Sequence, residues 1–336
     1  MILKGLVDGK NLMQYKIKKI SGDASFREFY KIEKNYKCTI LVRANKDIFR
    51  NLIVYAAINQ LLVKNKIKAP KLVQEYFADN MMEIENLGNY SFLDYIKKKN
   101  NKFDDYKKLI DLIIKLQKIS FKKDIKFKNR KIKINKYNLS ELHAESDLFF
   151  DWYVKSNGKK KNLKKNKIEI KKELNILYQK LYFQDMCFVH RDFHASNIMI
   201  KNNKFGLIDS QDAMRGNLLY DVASLIDDVR IKLPQALKSS LFFYYLSKTS
   251  KIKKGREELL AKNDFDILSV QRSLKILGIF VRLCKRDNKS NYLKYLPYTW
   301  EVLELRLKNP IFINLKRLLD KVAPKKDRKK FNFNDN

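Results

Sequence analysis

An Asp and an Asn five positions apart, with a second Asp closing a later apolar run, form a set of side chains able to move a phosphoryl group. Asp192 and Asn197 lie in His190-Arg191-Asp192-Phe193-His194-Ala195-Ser196-Asn197. Asp209 follows twelve residues later in Gly206-Leu207-Ile208-Asp209-Ser210-Gln211-Asp212. One carboxylate would orient an acceptor hydroxyl and take its proton. The amide oxygen and the other carboxylate are hard donors suited to the magnesium that neutralises ATP phosphates. Two further readings stay open. His190, Asp192 and His194 could ligate zinc or iron in a hydrolase, although no further His or Cys lies nearby to complete the shell. The same residues could also be plain turn formers and caps.

Local patterning sets out how these residues are carried. Met186-Cys187-Phe188-Val189 is an apolar run leading into the motif, with Cys187 expected in the core. Asn197-Ile-Met-Ile200 and Phe205-Gly-Leu-Ile208 flank the polar turn Lys201-Asn202-Asn203-Lys204, the pattern of a hairpin. The Asp192 loop and the Asp209 end of that hairpin would then face each other.

The segment His190 to Asn197 with Ile208-Asp209 resembles the catalytic segment of the aminoglycoside phosphotransferase superfamily, relatives of the protein kinases. Asp209-Ser-Gln-Asp212-Ala, Gly216, Tyr220-Asp221-Val-Ala-Ser-Leu225 and Asp228 are similar to one branch of it. That branch comprises bacterial kinases of the anomeric hydroxyl of N-acetylmuramate and N-acetylglucosamine in cell-wall recycling. Leu148-Phe149-Phe150-Asp151-Trp152-Tyr153 and the run from Gln271-Arg272 to Arg286-Asp287 also resemble it. The resemblance implies an α+β, protein-kinase-like fold of two lobes, with a small β-rich N-terminal ATP-binding lobe (1–87), a larger, mostly helical catalytic and acceptor-binding lobe (88–323) and a charged tail (324–336). It also implies ATP and Mg2+ as cofactors and a small-molecule sugar as acceptor.

Within the first lobe, Tyr15 to Ile20, Phe29 to Ile32 and Cys38 to Val42 read as strands, and the first two bracket Ser21-Gly22-Asp23-Ala24-Ser25. A turn of small residues between strands can bring amides and a hydroxyl against phosphate oxygens; Gly22 and Ser25 are the candidates. The third strand lacks a lysine at the position a protein kinase would use. Arg43 is either the phosphate cation, with Lys46 close behind, or simply an exposed strand-end cation, and the helix expected from Asp47 to Lys66 offers no acidic partner after Asp47. Met81 to Ile84 reads as a strand and Glu85-Asn86-Leu87-Gly88 as a hinge, where the resemblance implies adenine contacts near Glu85 and Leu87.

In the second lobe, Phe121 to Lys136 reads as a Lys-rich solvated loop. Ser140 to Val154 reads as a helix capped by Ser140, an acidic island that is either a helix with one wet face or, as the resemblance implies, the lining of a sugar pocket to which Glu145 and Trp152 would contribute. Asp221 is well placed to cap the next helix, Val222 to Arg230, and the resemblance implies that it ties the catalytic loop. Asp228 faces either the acceptor or solvent. From Asp264 to Cys284 an apolar stripe predicts a long helix. Its other face carries Gln271, Lys275, Gly278 and Arg282, with Lys275 and Arg282 as candidate partners for an acceptor carboxylate. Gly278 would either let a ligand approach or let a neighbouring helix pack closely.

Composition bounds the rest. The 336 residues carry 72 Lys and Arg against 37 Asp and Glu, a net charge of +35, with 45% hydrophobic residues, enough for a core. The basic residues are spread throughout rather than gathered in a recognition element, so compositional drift is the expectation over nucleic-acid binding. The field still favours ATP and disfavours a cationic acceptor. Three unpaired cysteines and a start, Met1-Ile-Leu-Lys-Gly, without an apolar segment predict a cytoplasmic protein with no membrane span.

Overall fold

The structure, a computed structural model, describes residues 16–20, 27–34, 37–45, 50–120, 124–157 and 162–328. The chain forms two compact units, each discontinuous in sequence: residues 1–91, 121–133 and 197–212 in the first, and 92–120, 134–196 and 213–336 in the second. The expected cut at residue 87 does not describe this arrangement, because two segments beyond it, 121–133 and 197–212, each carrying a hairpin, join the first unit.

In the first unit, β1 (Lys16–Ile20), β2 (Glu28–Lys34), β3 (Lys37–Arg43), β4 (Leu72–Tyr76) and β5 (Met81–Glu85) form one antiparallel sheet in the order β1-β2-β3-β5-β4. The helix Arg50–Lys64 closes one face. Val42, Met82 and Ile84 alternate onto that face and pack with Leu52, Ile53, Tyr55 and Ala56. The segment expected as a solvated loop is instead the hairpin β6 (Asp124–Phe127) and β7 (Arg130–Lys133). Ile125 faces Ile132 across it, and Phe127 is buried in the sheet–helix core. This period-2 apolar pattern is diluted by lysines, which hid it.

The second hairpin, β9 (Ile198–Lys201) and β10 (Lys204–Leu207), follows the expected pattern. Asn202 and Asn203 both have positive φ (51° and 57°), as a two-residue type I′ turn requires. The hairpin pairs with its own unit: Leu207 N donates to Lys68 O (2.8 Å), Ile200 N to Tyr90 O (2.8 Å) and Lys201 Nζ to Asn86 O (2.7 Å).

The second unit is mostly helical. Its axis is the helix Arg256–Asp287, buried along Asp264–Leu274 and packed by Leu139–Leu148, the π-helical turn Phe149–Val154 and Leu296–Arg306. The N-cap of Leu139–Leu148 is Asn138, whose side chain accepts from Glu141 N at 3.1 Å, rather than the expected Ser140. Among the described residues no helix is long and apolar enough to cross a membrane.

Gly278 serves packing. A Cβ there would stand 2.7 Å from Leu148 Cβ and overlap the Leu148 carbonyl, which is backbone and cannot swing aside. Alanine usually stabilises a helix relative to glycine, but here overpacking should reverse the sign. Gly278→Ala is expected to lower the unfolding free energy by about 1–3 kcal/mol, measured by urea denaturation. Unchanged or raised stability would show that the helix backbones can separate freely.

Candidate active-site residues

The motif divides between the units: Asp192 belongs to the second, Asn197 and Asp209 to the first. In the second unit, β8 (Cys187–Val189) pairs with β11 (Met214–Gly216) and delivers the chain buried into the loop at His190. Asp221 accepts from the amides of His190 (2.7 Å) and Arg191 (3.0 Å). Its side chain therefore ties the loop, as the resemblance implied, while Leu219 holds the N-cap position of the helix Tyr220–Ile226. Burial pushes the Asp221 carboxyl above its ordinary pKa despite these two donors. Arg191 adopts φ +73°, unfavourable for a non-glycine residue. It is clamped there, with its N–H on Asp221 and its carbonyl accepting from Arg272 at 2.9 Å. Asp228 accepts from Ala195 N at 2.9 Å and from Arg230, pinning the far end of the loop.

Glu145, expected to face an acceptor, is only 6% exposed. It accepts from Tyr137 Oη (2.5 Å), Tyr220 Oη (3.1 Å), Gln271 Nε2 (3.0 Å), Lys275 Nζ (2.8 Å) and the Arg191 guanidinium. With its oxygens so occupied, Glu145 is a support for the Asp192 loop. Lys275, the other candidate drawn into this cluster, also stands 4.0 Å from Asp192 Oδ1. Burial alone would raise the pKa of Asp192, but Lys275, Arg272 and Arg191 outweigh it and hold the carboxyl below its ordinary value. Asp192 is thus an anion at neutral pH, with its side chain 30% exposed, as a proton acceptor must be. Trp152 is half-buried in the π-helical turn, and Arg282 is half-buried with an Nε that finds no acceptor among the described residues.

In the first unit, the hairpin brings Asn197 and Asp209 together: Ile208 N donates to Asn197 O at 3.0 Å. Asp209 turns the chain at φ +66°. Its carboxylate pairs with Arg27 Nη2 at 2.5 Å and accepts from Gln211 Nε2 at 3.1 Å. The present partner of this carboxylate is a cation, so the position calls for positive charge. One amide oxygen and one carboxylate suit magnesium, which takes the rest of its shell from phosphates and water. Arg43 ends β3 against Glu28 (3.5 Å). In the hinge, Glu85 N is committed to Lys71 O (2.8 Å), whereas the Leu87 N–H has no hydrogen-bond partner among the described residues. Gly22, Ser25 and Lys46 lie outside the described residues.

The hydrolase reading lacks ligands. Among the described residues no group of three or more His, Cys, Asp or Glu could hold a metal ion, and His190 is fully buried edge-on to Phe193. The supports that sequence reasoning missed are Arg191, Arg272, Tyr137 and Tyr220 in one unit and Arg27 in the other. Arg191, Tyr220 and Arg272 fall in segments that carried the resemblance, whereas Tyr137 and Arg27 carried no sequence signal.

Relatives named N-acetylmuramate/N-acetylglucosamine kinase share 26% identity over 290 residues in Pseudomonas aeruginosa (84% of this chain, 81% of that one) and 27% over 284 residues in Pseudomonas putida (82% and 79%). Among solved structures, a choline/ethanolamine kinase family protein from Mesorhizobium loti superposes with a TM-score of 0.61 at 11% identity, covering 94% of each chain. A thermostable mutant of aminoglycoside phosphotransferase APH(4)-Ia gives 0.60 at 12% identity, covering 86% of this chain and 94% of that one. These structures share the kinase-like fold. The sequence profile of the phosphotransferase enzyme family matches residues 16–259, nearly three-quarters of the protein, and the chain belongs to that family.

Proposed function

We propose that this protein is an ATP-dependent sugar kinase that phosphorylates the anomeric hydroxyl of N-acetylmuramate or N-acetylglucosamine, acting in the cytoplasm in cell-wall recycling. The observation that carries the reading is the match to kinases of those two sugars across 82–84% of the chain, joined to membership of a phosphotransferase family. In this reading Asp192 orients the acceptor hydroxyl and takes its proton, and its ionised state supports that role. Asn197 and Asp209 hold magnesium, which when bound neutralises the phosphate charge. Gly22 and Ser25 cover the phosphates, and the adenine meets the backbone near Glu85 and Leu87, for which the unpartnered Leu87 amide is suited. Glu145, Asp228 and Lys275 act through the Asp192 loop, which leaves Trp152 and Arg282 as the acceptor candidates. Positioning and charge neutralisation supply the rate, and no covalent enzyme intermediate is needed.

The test is an ATP-consumption screen across amino sugars, with aminoglycosides and choline alongside and the product's phosphate position assigned by NMR. Turnover confined to N-acetylated amino sugars, with phosphate on the anomeric oxygen, is expected. Preferential phosphorylation of an aminoglycoside or choline would overturn the acceptor assignment while leaving the phosphotransferase chemistry in place.

A further inference from the structure

Arg43, the cation expected to meet the nucleotide, is poorly placed beside Asp209. It stands opposite Glu28 in the β2/β3 ladder, whereas the next pair, Phe29 and Val42, faces the other side of the sheet. That other side carries the helix Arg50–Lys64, whose Tyr55 hydroxyl lies 3.4 Å from the Asp209 amide. Arg27, just before β2, has the parity of Phe29. Its guanidinium sits 5.7 Å from the Phe29 ring centroid and 5.5 Å from that of Tyr55. It donates to Asp209 at 2.5 Å and to Gln211 Oε1 at 2.9 Å, with its side chain 8% exposed.

A guanidinium and a divalent cation compete for the same carboxylate oxygens. A metal arriving with a triphosphate would repel Arg27 from Asp209 and at the same moment offer it phosphate oxygens, which suit its planar fork at least as well as a carboxylate does. The two aromatic rings keep the guanidinium beside the carboxylate during that exchange. We propose that Arg27 is the phosphate-binding cation of this protein, standing in for the metal on Asp209 until the magnesium nucleotide arrives and then passing its hydrogen bonds to the phosphates. This rests on the reading of the protein as an ATP-dependent kinase.

The experiment is calorimetric titration of the full chain with a non-hydrolysable ATP analogue and Mg2+. Arg27→Gln is expected to weaken binding about 10- to 100-fold, the loss of a charge-assisted contact, and to weaken it more than Arg43→Gln does. Because Arg27→Gln strips Asp209 of its cationic partner, the same change is also made in an Asp209→Asn background, so that the double variant carries neither charge. There the analogue is titrated without metal, and the double variant should bind about tenfold or more weakly than Asp209→Asn alone. Equal binding by these two proteins, or a larger loss from Arg43→Gln than from Arg27→Gln, would overturn the proposal. The unsubstituted protein distinguishes the two levels of inference: if it fails to bind the analogue with Mg2+, the kinase reading itself falls.

Discussion

Asp192→Asn is expected to lower kcat by about two to four orders of magnitude, the usual contribution of a positioned proton acceptor, while the affinity for nucleotide stays close to that of the unsubstituted protein. The amide keeps the shape of the carboxylate but cannot accept a proton from the hydroxyl. The loop itself is held through its backbone, by Asp221 on the amides of His190 and Arg191, Arg272 on the carbonyl of Arg191 and Asp228 on the amide of Ala195, so its course should persist. The pH dependence has a definite sign. Because Lys275, Arg272 and Arg191 overcome the effect of burial and depress the pKa of Asp192, activity should hold down through mildly acidic pH and fall only below the ordinary carboxylate range. Steady-state kinetics across pH, paired with nucleotide titration, provide the check. Near-normal transfer by the Asn variant would remove Asp192 from its role.

The largest effect on stability is expected at Glu145. Glu145→Gln breaks two ion pairs at once and takes the nearest counter-charge from Arg191 and Lys275, each with a side chain only 12% exposed, leaving them the carboxylates of Glu141 and Asp192 at 4.0 Å. Removing one partner of a buried pair costs about 3–5 kcal/mol. Burial pushes the Glu145 pKa up, but Lys275 and Arg191 outweigh it and hold the folded value well below the ordinary one. A depressed folded pKa means that the stabilisation is fully present above the unfolded value of about 4.3 and is lost only as pH falls through the lower folded value. The gap between the two proteins in urea denaturation should therefore be the same at pH 7 and pH 6. A negligible gap at either pH would show that the two cations find other partners.

Much of the local structure around the motif was legible in the linear sequence because its signals are short-range. The motif from His190 to Asn197 sits in one loop. The Asn202-Asn203 turn is a short-range signal for a hairpin, and it formed with both residues in the left-handed region. The stripe from Ile267 to Cys284 announced a helix, which the structure extends to Arg256–Asp287. The family and the α+β kinase-like fold followed from such segments and agree with the relatives and solved structures.

Pairing across the chain was not legible. Glu145 and Trp152 looked alike as members of an acidic, aromatic helix. One became the buried anchor of a lysine 130 residues away and the other stayed half-buried. Asp228 gave no sign that its carboxylate would hold the amide of Ala195. Lysine-rich flanks concealed the β6/β7 hairpin until Phe127 was seen in the core.

Taken alone, then, the sequence determined the candidates for chemistry and most of the strands, turns and helices, the β6/β7 hairpin excepted, since hydrophobic period and turn preference act over a few residues. Tertiary structure alone decided which charges meet. Arg27 lies 182 residues from Asp209, and nothing but the folded arrangement of strand, helix and hairpin brings that guanidinium onto that carboxylate.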